Sequence, residues 1–267
     1  VFLIDTHIHL DFEAYNIDRI ELLQRAKEAG VHYSISIGAG GGLDSTDRAL
    51  QLASEHEQLF TTVGIHPHDA SFELTEDSLR ERLHGDLAQK KIVAIGETGL
   101  DYFKDWSPID AQKKWFRFQI ELAKEFNVPL IIHNREAGED CLKILQELNA
   151  SQVGGVFHCY SEDADFAKVL RDLNFLVSFT GVITFKKSDR TRAVIKDIPL
   201  DQIMLETDGP YMAPEPYRGQ RSESAHVVEM AKVLAEVKGI SFEEVCLATS
   251  KNAIQLFKLP LKISEDS

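Results

Sequence analysis

The chain has 267 residues, 43% of them hydrophobic, and its 43 acidic against 29 basic residues leave a formal charge of -14. That length suits one large α/β domain, since barrels of about 250 residues commonly fold as a unit. The acidic balance excludes a broadly basic nucleic-acid-coating surface, so any phosphate-bearing substrate must be met locally, by a few cations or by metal.

Apolar, β-branched runs alternate with helical patterns from the first residue onward. "VFLIDTHIH" reads as a first strand, and "IDRIELLQRAKEAG" as a helix stopped at Gly30. "VHYSISIG" and "LFTTVGIH" are the second and third strands, with "LDSTDRALQLASEH" the helix between them. "TEDSLRERLHGDLAQ" follows as a helix that Thr75 is placed to cap. "KIVAIGE" is the fourth strand, with "IDAQKKWFRFQIELAKEFN" as its helix. "VPLIIH", "VGGVFHC", "FLVSFTG" and "QIMLETD" complete eight strands. Helices are expected at "EAGEDCLKILQELNA", "EDADFAKVLRDLN" and "DRTRAVIKDI", and two more, "SAHVVEMAKVLAEVKG" and "SFEEVCLATSKNAIQLF", close the chain. Eight strand–helix units predict an α/β fold, a single-domain (β/α)8 TIM barrel over residues 1–260 with a loose tail over 261–267. A doubly wound open sheet is the alternative, weakened because no GxGxxG follows the first strand.

Cys141, Cys159 and Cys246 lie far apart without CxxC spacing, which points to reduced thiols and a cytoplasmic protein. No apolar run nears the roughly 20 residues of a spanning helix, so no membrane partner is expected. "VFLI" is too short for a signal-peptide core. No obligate protein partner is evident.

In such a barrel the residues at strand C-termini converge on the active-site face. Six strands end there in His7 and His9, His66, Glu97, His133, His158 and Asp208. Each taken singly has an ordinary explanation as a cap, a turn residue or a satisfied buried histidine; their shared position does not. Histidines with carboxylates make a nitrogen–oxygen site suited to Zn²⁺, Mn²⁺, Fe²⁺ or Co²⁺ and tolerant of Mg²⁺. So many ligands exceed one tetrahedral ion and predict two divalent ions per chain. His7, His9 and Asp208 would hold one, His133 and His158 the other, with Glu97 shared; Asp208 could also accept the proton of an attacking water. Strands two and seven end instead at Gly38 and Gly181, where a ligand or backbone can approach.

"DTHIHLDF", "VGIHPHDA", "AIGETGLDYF", "PLIIHNRE", "VFHCYS", "LETDGPYMAPEPYRGQR" and "NAIQLF" together resemble the TatD family of metal-dependent hydrolases and deoxyribonucleases, within the amidohydrolase group of barrels. The resemblance runs in order from Asp5 to about Phe257. It implies His7, His9, Glu97, His133, His158 and Asp208 as ligands of Mg, Mn or Zn, with Glu97 and Asp208 as catalytic residues. It further implies hydrolysis of phosphodiester bonds in single-stranded DNA by a metal-activated hydroxide, in the manner of a 3′-to-5′ exonuclease. His66, Arg135, Arg218 and Arg221 would then bind phosphates, arginine because its planar fork takes phosphate oxygens in pairs.

Two departures stand out. Ser222-Glu223-Ser224 replaces the family's common Asn-Glu-Pro and is expected to relax the loop over the substrate. Tyr160 replaces Phe and is expected to offer its hydroxyl to substrate. The same metal chemistry would serve an amide, lactone or aminoacyl ester, and a non-catalytic metal or nucleic-acid binding protein is a remote alternative. Trp106, in a loop beside Tyr102 and Phe103, is a candidate for base stacking. Trp115, Phe118 and Leu122 read as the apolar stripe of the fourth strand's helix. "GAGGGL" is flexible enough to admit a phosphate but lacks the ending of a nucleotide P-loop.

Overall fold

A computed structural model describes residues 1–85 and 90–263. Eight parallel strands alternate with helices in a nearly closed (β/α)8 barrel, in sequence order across one sheet. The strands are β1 Leu3–Ile8, β2 Val31–Ser36, β3 Leu59–Val63, β4 Ile92–Asp101, β5 Leu130–Arg135, β6 Gly155–Phe157, β7 Phe175–Phe179 and β8 Ile203–Leu205. The α-helices are α1 Arg19–Glu28, α2 Gly42–Glu55, α3 Glu76–Glu81, α4 Ile109–Phe126, α5 Gly138–Glu147, α6 Ala164–Asp172, α7 Asp189–Asp197, α8 Val227–Lys238 and α9 Phe242–Leu256. Thr75 caps α3 in a reciprocal box with Ser78. The helix ends at Glu81, short of the expected run, since residues 82–85 are not helical; positions 86–89 of that run, and residues 264–267 of the expected tail, lie outside the described residues.

Two compact units make up the chain. The first comprises Val1–Ile35, Cys159–Val169 and Leu176–Ser267. In it β8 runs parallel to β7, with Val177 opposite Ile203. Chain beyond β8 is tied to β1 by an Ile8–Gly209 bridge and by N–H bonds from Asp208 to the His7 carbonyl and from His9 to the Gly209 carbonyl, each 2.8 Å. Those two bonds put Asp208 beside the ends of His7 and His9.

The second unit comprises Ser36–His158 and Leu170–Phe175. Its strands β3 to β6 are parallel, and every residue of β4 is buried. Strands buried on both faces need continuous apolar sequence, as "IVAI" and "LII" supply. Helix α4 turns Trp115, Phe116, Ile120 and Leu122 inward. Each such burial is worth about 1.5–3 kcal/mol. The expected stripe is corrected at one position: Phe116 is fully buried, whereas Phe118 is half-buried and meets Trp115 edge-on at a centroid distance of 5.8 Å.

Gly38 and Gly181 admit backbone. A Cβ on Gly38 would lie 2.2 Å from the Thr62 carbonyl oxygen, and one on Gly181 1.9 Å from that of Met212. The "GAGGGL" segment is likewise committed, since the Gly42 N–H donates to Asp69 at 3.0 Å.

Candidate metal centre

In the first unit, β1 delivers His7 and His9 on one face because side chains two residues apart in a strand point the same way. Asp208 reaches them from just beyond β8, its backbone in the left-handed region at φ 54°. Its Oδ1 lies 3.7 Å from His7 Nε2 and 3.6 Å from His9 Nε2. All three residues are buried, with one donor atom from each within 4.8 Å of the others.

Beneath them Asp5 fastens this arrangement. It accepts hydrogen bonds from the Thr207 N–H at 2.9 Å, the Thr207 hydroxyl at 2.7 Å and the Ser224 hydroxyl at 2.8 Å. Burial pushes the Asp5 carboxyl up to about 7 against these bonds. Thr207 immediately precedes Asp208, so Asp5 sets the entry angle of the turn that carries Asp208.

In the second unit, one oxygen of Glu97 is the centre of an imidazole cluster. Glu97 Oε1 is 2.6 Å from His133 Nδ1, 2.6 Å from His158 Nε2 and 3.3 Å from His66 Nε2. His66 Nδ1 accepts the His68 N–H at 3.0 Å, which leaves the ring proton on Nε2, facing Glu97. Burial pushes the His66 imidazole down to about 4, so it is neutral at pH 7.

Sequence reasoning passed over two residues of this cluster, His68 and Asp101. Asp101 Oδ2 is 2.7 Å from His68 Nε2 and 3.1 Å from His133 Nε2. Its Oδ1 accepts the N–H groups of Phe103 at 3.0 Å and Lys104 at 2.8 Å. Burial alone would raise this carboxyl, but the bonds from His133, Lys104 and His68 outweigh it and hold the pKa far below the carboxylate range. Burial likewise opposes charge on His133, yet Asp101 and Glu97 raise its pKa.

The donor sets fit divalent cations. Imidazole nitrogens and carboxylate oxygens converge in buried groups, the nitrogen–oxygen chemistry that Zn²⁺, Mn²⁺ and their neighbours take. A carboxylate on the remote ring nitrogen, as Asp101 on His133, is the usual support of a histidine ligand.

A family model described as TatD related DNase matches residues 4–258. The chain belongs to the TatD family. It is similar to the uncharacterized metal-dependent hydrolase YabD of Bacillus subtilis, 42% identical over 257 residues that cover 96% of this chain and 99% of YabD. The uncharacterized metal-dependent hydrolase YcfH of Escherichia coli is 34% identical, covering 97% of each chain. The crystal structure of YjjV, a TatD homolog from Escherichia coli K12, matches with a TM-score of 0.89 at 30% identity, over 97% of this chain and 98% of that one. This TatD protein is therefore a metal-dependent hydrolase.

The remaining expected contacts of the TatD site fall differently. Arg135, at the end of β5, is exposed and stacks its guanidinium 4.6 Å from the centre of the Phe103 ring. Arg218 is exposed over Phe185 at 4.4 Å. Arg221 is engaged within the fold: its two terminal nitrogens bind Asp18 at 2.6 and 2.7 Å. The Tyr160 hydroxyl donates to the Asp163 carbonyl at 2.6 Å, and the ring is buried. Ser222-Glu223-Ser224 is not a relaxed loop. The Ser222 carbonyl accepts the Tyr15 hydroxyl at 2.6 Å, Glu223 binds Arg25 at 2.5 and 2.8 Å, and Ser224 serves Asp5. Glu206 holds neighbouring backbone, accepting from the Cys159 N–H and the Ser178 hydroxyl, each at 2.6 Å.

Proposed function

We propose that this TatD-family hydrolase cleaves phosphodiester bonds of single-stranded DNA, removing nucleotides from the 3′ end. The observation that carries this reading is the pair of buried imidazole–carboxylate clusters, in a chain matched from residue 4 to 258 by a DNase-related family model. His7, His9 and Asp208 would hold one divalent ion and Glu97, His133 and His158 a second. Bound ions supply Lewis acidity, lowering the pKa of water and offsetting charge that develops on phosphoryl oxygens.

The chain's own groups do the rest. A carboxylate oxygen of Asp208 takes the proton of the attacking water, the general-base role. Glu97, within 2.6 Å of His133 Nδ1 and His158 Nε2, keeps those ring nitrogens aimed inward. His66, neutral and with its proton on Nε2, orients Glu97. Arg135, exposed at the end of β5, offers a planar fork to a phosphate oxygen pair.

The test is degradation of a 3′-labelled and a 5′-labelled single-stranded oligonucleotide by wild type and Asp208→Asn, in EDTA and after restoring Mg²⁺, Mn²⁺ or Zn²⁺. Stepwise loss from the 3′ end that needs metal is expected, with kcat lower by about 100- to 10,000-fold in the variant, the usual scale of general-base loss. An intact oligonucleotide, with metal bound and a lactone or amide hydrolysed by the same preparation, would move the reaction to carbonyl carbon.

A further inference from the structure

The segment between β4 and α4 contains three side chains that no step above uses: Phe103, 52% exposed, Lys104, and Trp106, 63% exposed. Large aromatic rings left so open in a buried-core enzyme call for a reason. The Lys104 ammonium lies 5.4 Å from the centre of the Phe103 ring and 5.4 Å from that of Trp106. Arg135 covers Phe103 at 4.6 Å. Among the described residues neither Lys104 nor Arg135 forms an ion pair, so both charges face outward beside the rings.

The segment is held in place despite its exposure. Asp101 Oδ1 accepts the N–H groups of Phe103 and Lys104, fixing the turn. Gln112, buried on α4, donates to the Asp101 and Ser107 carbonyls at 3.2 and 2.9 Å and so ties both ends to one side chain. The Ser107 hydroxyl donates to the His68 carbonyl at 2.7 Å. Trp106 meets His68 edge-on at 4.4 Å, and His68 shares Asp101 with His133. The rings therefore stand one side chain away from a ligand of the second-unit cluster, on a backbone that the same carboxylate holds.

We propose that Trp106 and Phe103, with Lys104 and Arg135 between and beside them, form a nucleobase-stacking platform that holds one base of a single-stranded substrate next to His68. A base offers a π face to an aromatic ring, while its phosphates need cations, and this rim supplies both within a chain of net charge -14. The platform is indifferent to sequence, because every base has a π face. It rests on the phosphodiesterase reading and adds to it how the strand is gripped.

The probes are single-stranded heptathymidylate and its abasic analogue, which keeps every phosphate and lacks the bases. In wild type the abasic strand is expected to show a KM about 10- to 100-fold higher, the effect of losing one or two base–aromatic stacks. In Trp106→Ala that ratio collapses toward one. In EDTA, where no strand is cut, heptathymidylate quenches the fluorescence of wild type. The Trp106→Ala protein, left with only the buried Trp115, is not quenched. A wild-type ratio near one, a ratio that survives in Trp106→Ala, or unquenched wild type overturns the platform. If neither strand is cut with any metal the phosphodiesterase reading fails on its own, and the EDTA titration still decides whether a base is stacked.

Discussion

Asp101→Asn tests the support of the second-unit cluster. The amide oxygen can keep the two backbone bonds that Oδ1 makes to Phe103 and Lys104. The loss is then confined to Oδ2, where an NH₂ group replaces the oxygen 2.7 Å from His68 Nε2 and 3.1 Å from His133 Nε2. Bonds to a charged group contribute about 1.5–3 kcal/mol each and neutral replacements about 1. Two exchanges come to about 2 kcal/mol in the middle of that range. For a protein of this size 1 kcal/mol moves Tm by about 2–4 °C, so the metal-free variant should melt about 6 °C below wild type.

A second consequence follows from the direction of His133. Without a carboxylate at Nε2 the ring loses its fixed tautomer and some basicity, and support of that kind is worth about 10- to 100-fold in metal affinity. Thermal unfolding by circular dichroism in EDTA gives the first quantity, and competition for Zn²⁺ against a fluorescent chelator gives the second. Catalysis by Asp101→Asn should return toward wild type as metal is raised. An unchanged Tm in EDTA together with an unchanged metal midpoint would refute the role assigned to Asp101.

Gly99→Ala places a Cβ 2.0 Å from the His133 carbonyl oxygen at a backbone φ of 139°, so neither space nor conformation permits it. β4 must shift against β5, and a drop in Tm beyond 5 °C or insoluble expression is expected; wild-type melting would show that the strands give way more easily than this contact implies. Arg221 and Arg25 hold the Asp18 carboxyl down at about 2, Arg221 chiefly. A depressed folded-state pKa means the stabilisation is complete above about pH 4 and is lost as pH falls through about 2. Because the side chain is partly exposed, solvent screening reduces its worth to about 1 kcal/mol. Wild type should therefore melt above Asp18→Asn at pH 5, with the gap closing toward pH 2; a constant gap would count against the ion pair as its source.

Much of this architecture was readable because parallel strands buried on both sides need unbroken apolar runs, and here each run is followed by a helix with its own period. The same logic singled out the side chains that gather into the two clusters, since a charged or imidazole side chain at the end of a buried strand has few reasons to be there. Where the reading fell short, the determinant lay far away in sequence. β4 was expected to stop at Glu97, because "GETG" interrupts the apolar pattern, yet it continues to Asp101 with Gly99 tucked against His133. That misplaced end hid Asp101, and with it the role of His68, 33 positions earlier. Arg221 looked available for phosphate until Asp18, 203 positions away, was found to hold it. The Tyr160 hydroxyl, by contrast, is claimed by a carbonyl only three residues on, a local bond that no spacing rule announces.

An acidic chain that handles a polyanion needs its positive charge concentrated where the reaction occurs. With 43 acidic residues against 29 basic, the net charge of -14 opposes a duplex lying along the surface, and Arg25 and Arg221 are paired with Asp18 and Glu223. Among the outward cations described in the second unit, Lys104 and Arg135 are each set on an aromatic ring. Divalent ions in the two ligand clusters would add four positive charges, more than any side chains nearby supply. Affinity would then depend on stacked bases, which need no metal, more than on counterion release, which scales with the number of phosphates that side chains neutralise. A substrate whose bases are already unstacked and exposed would suit that arrangement, so the proposed activity is expected on a single strand and not on a duplex.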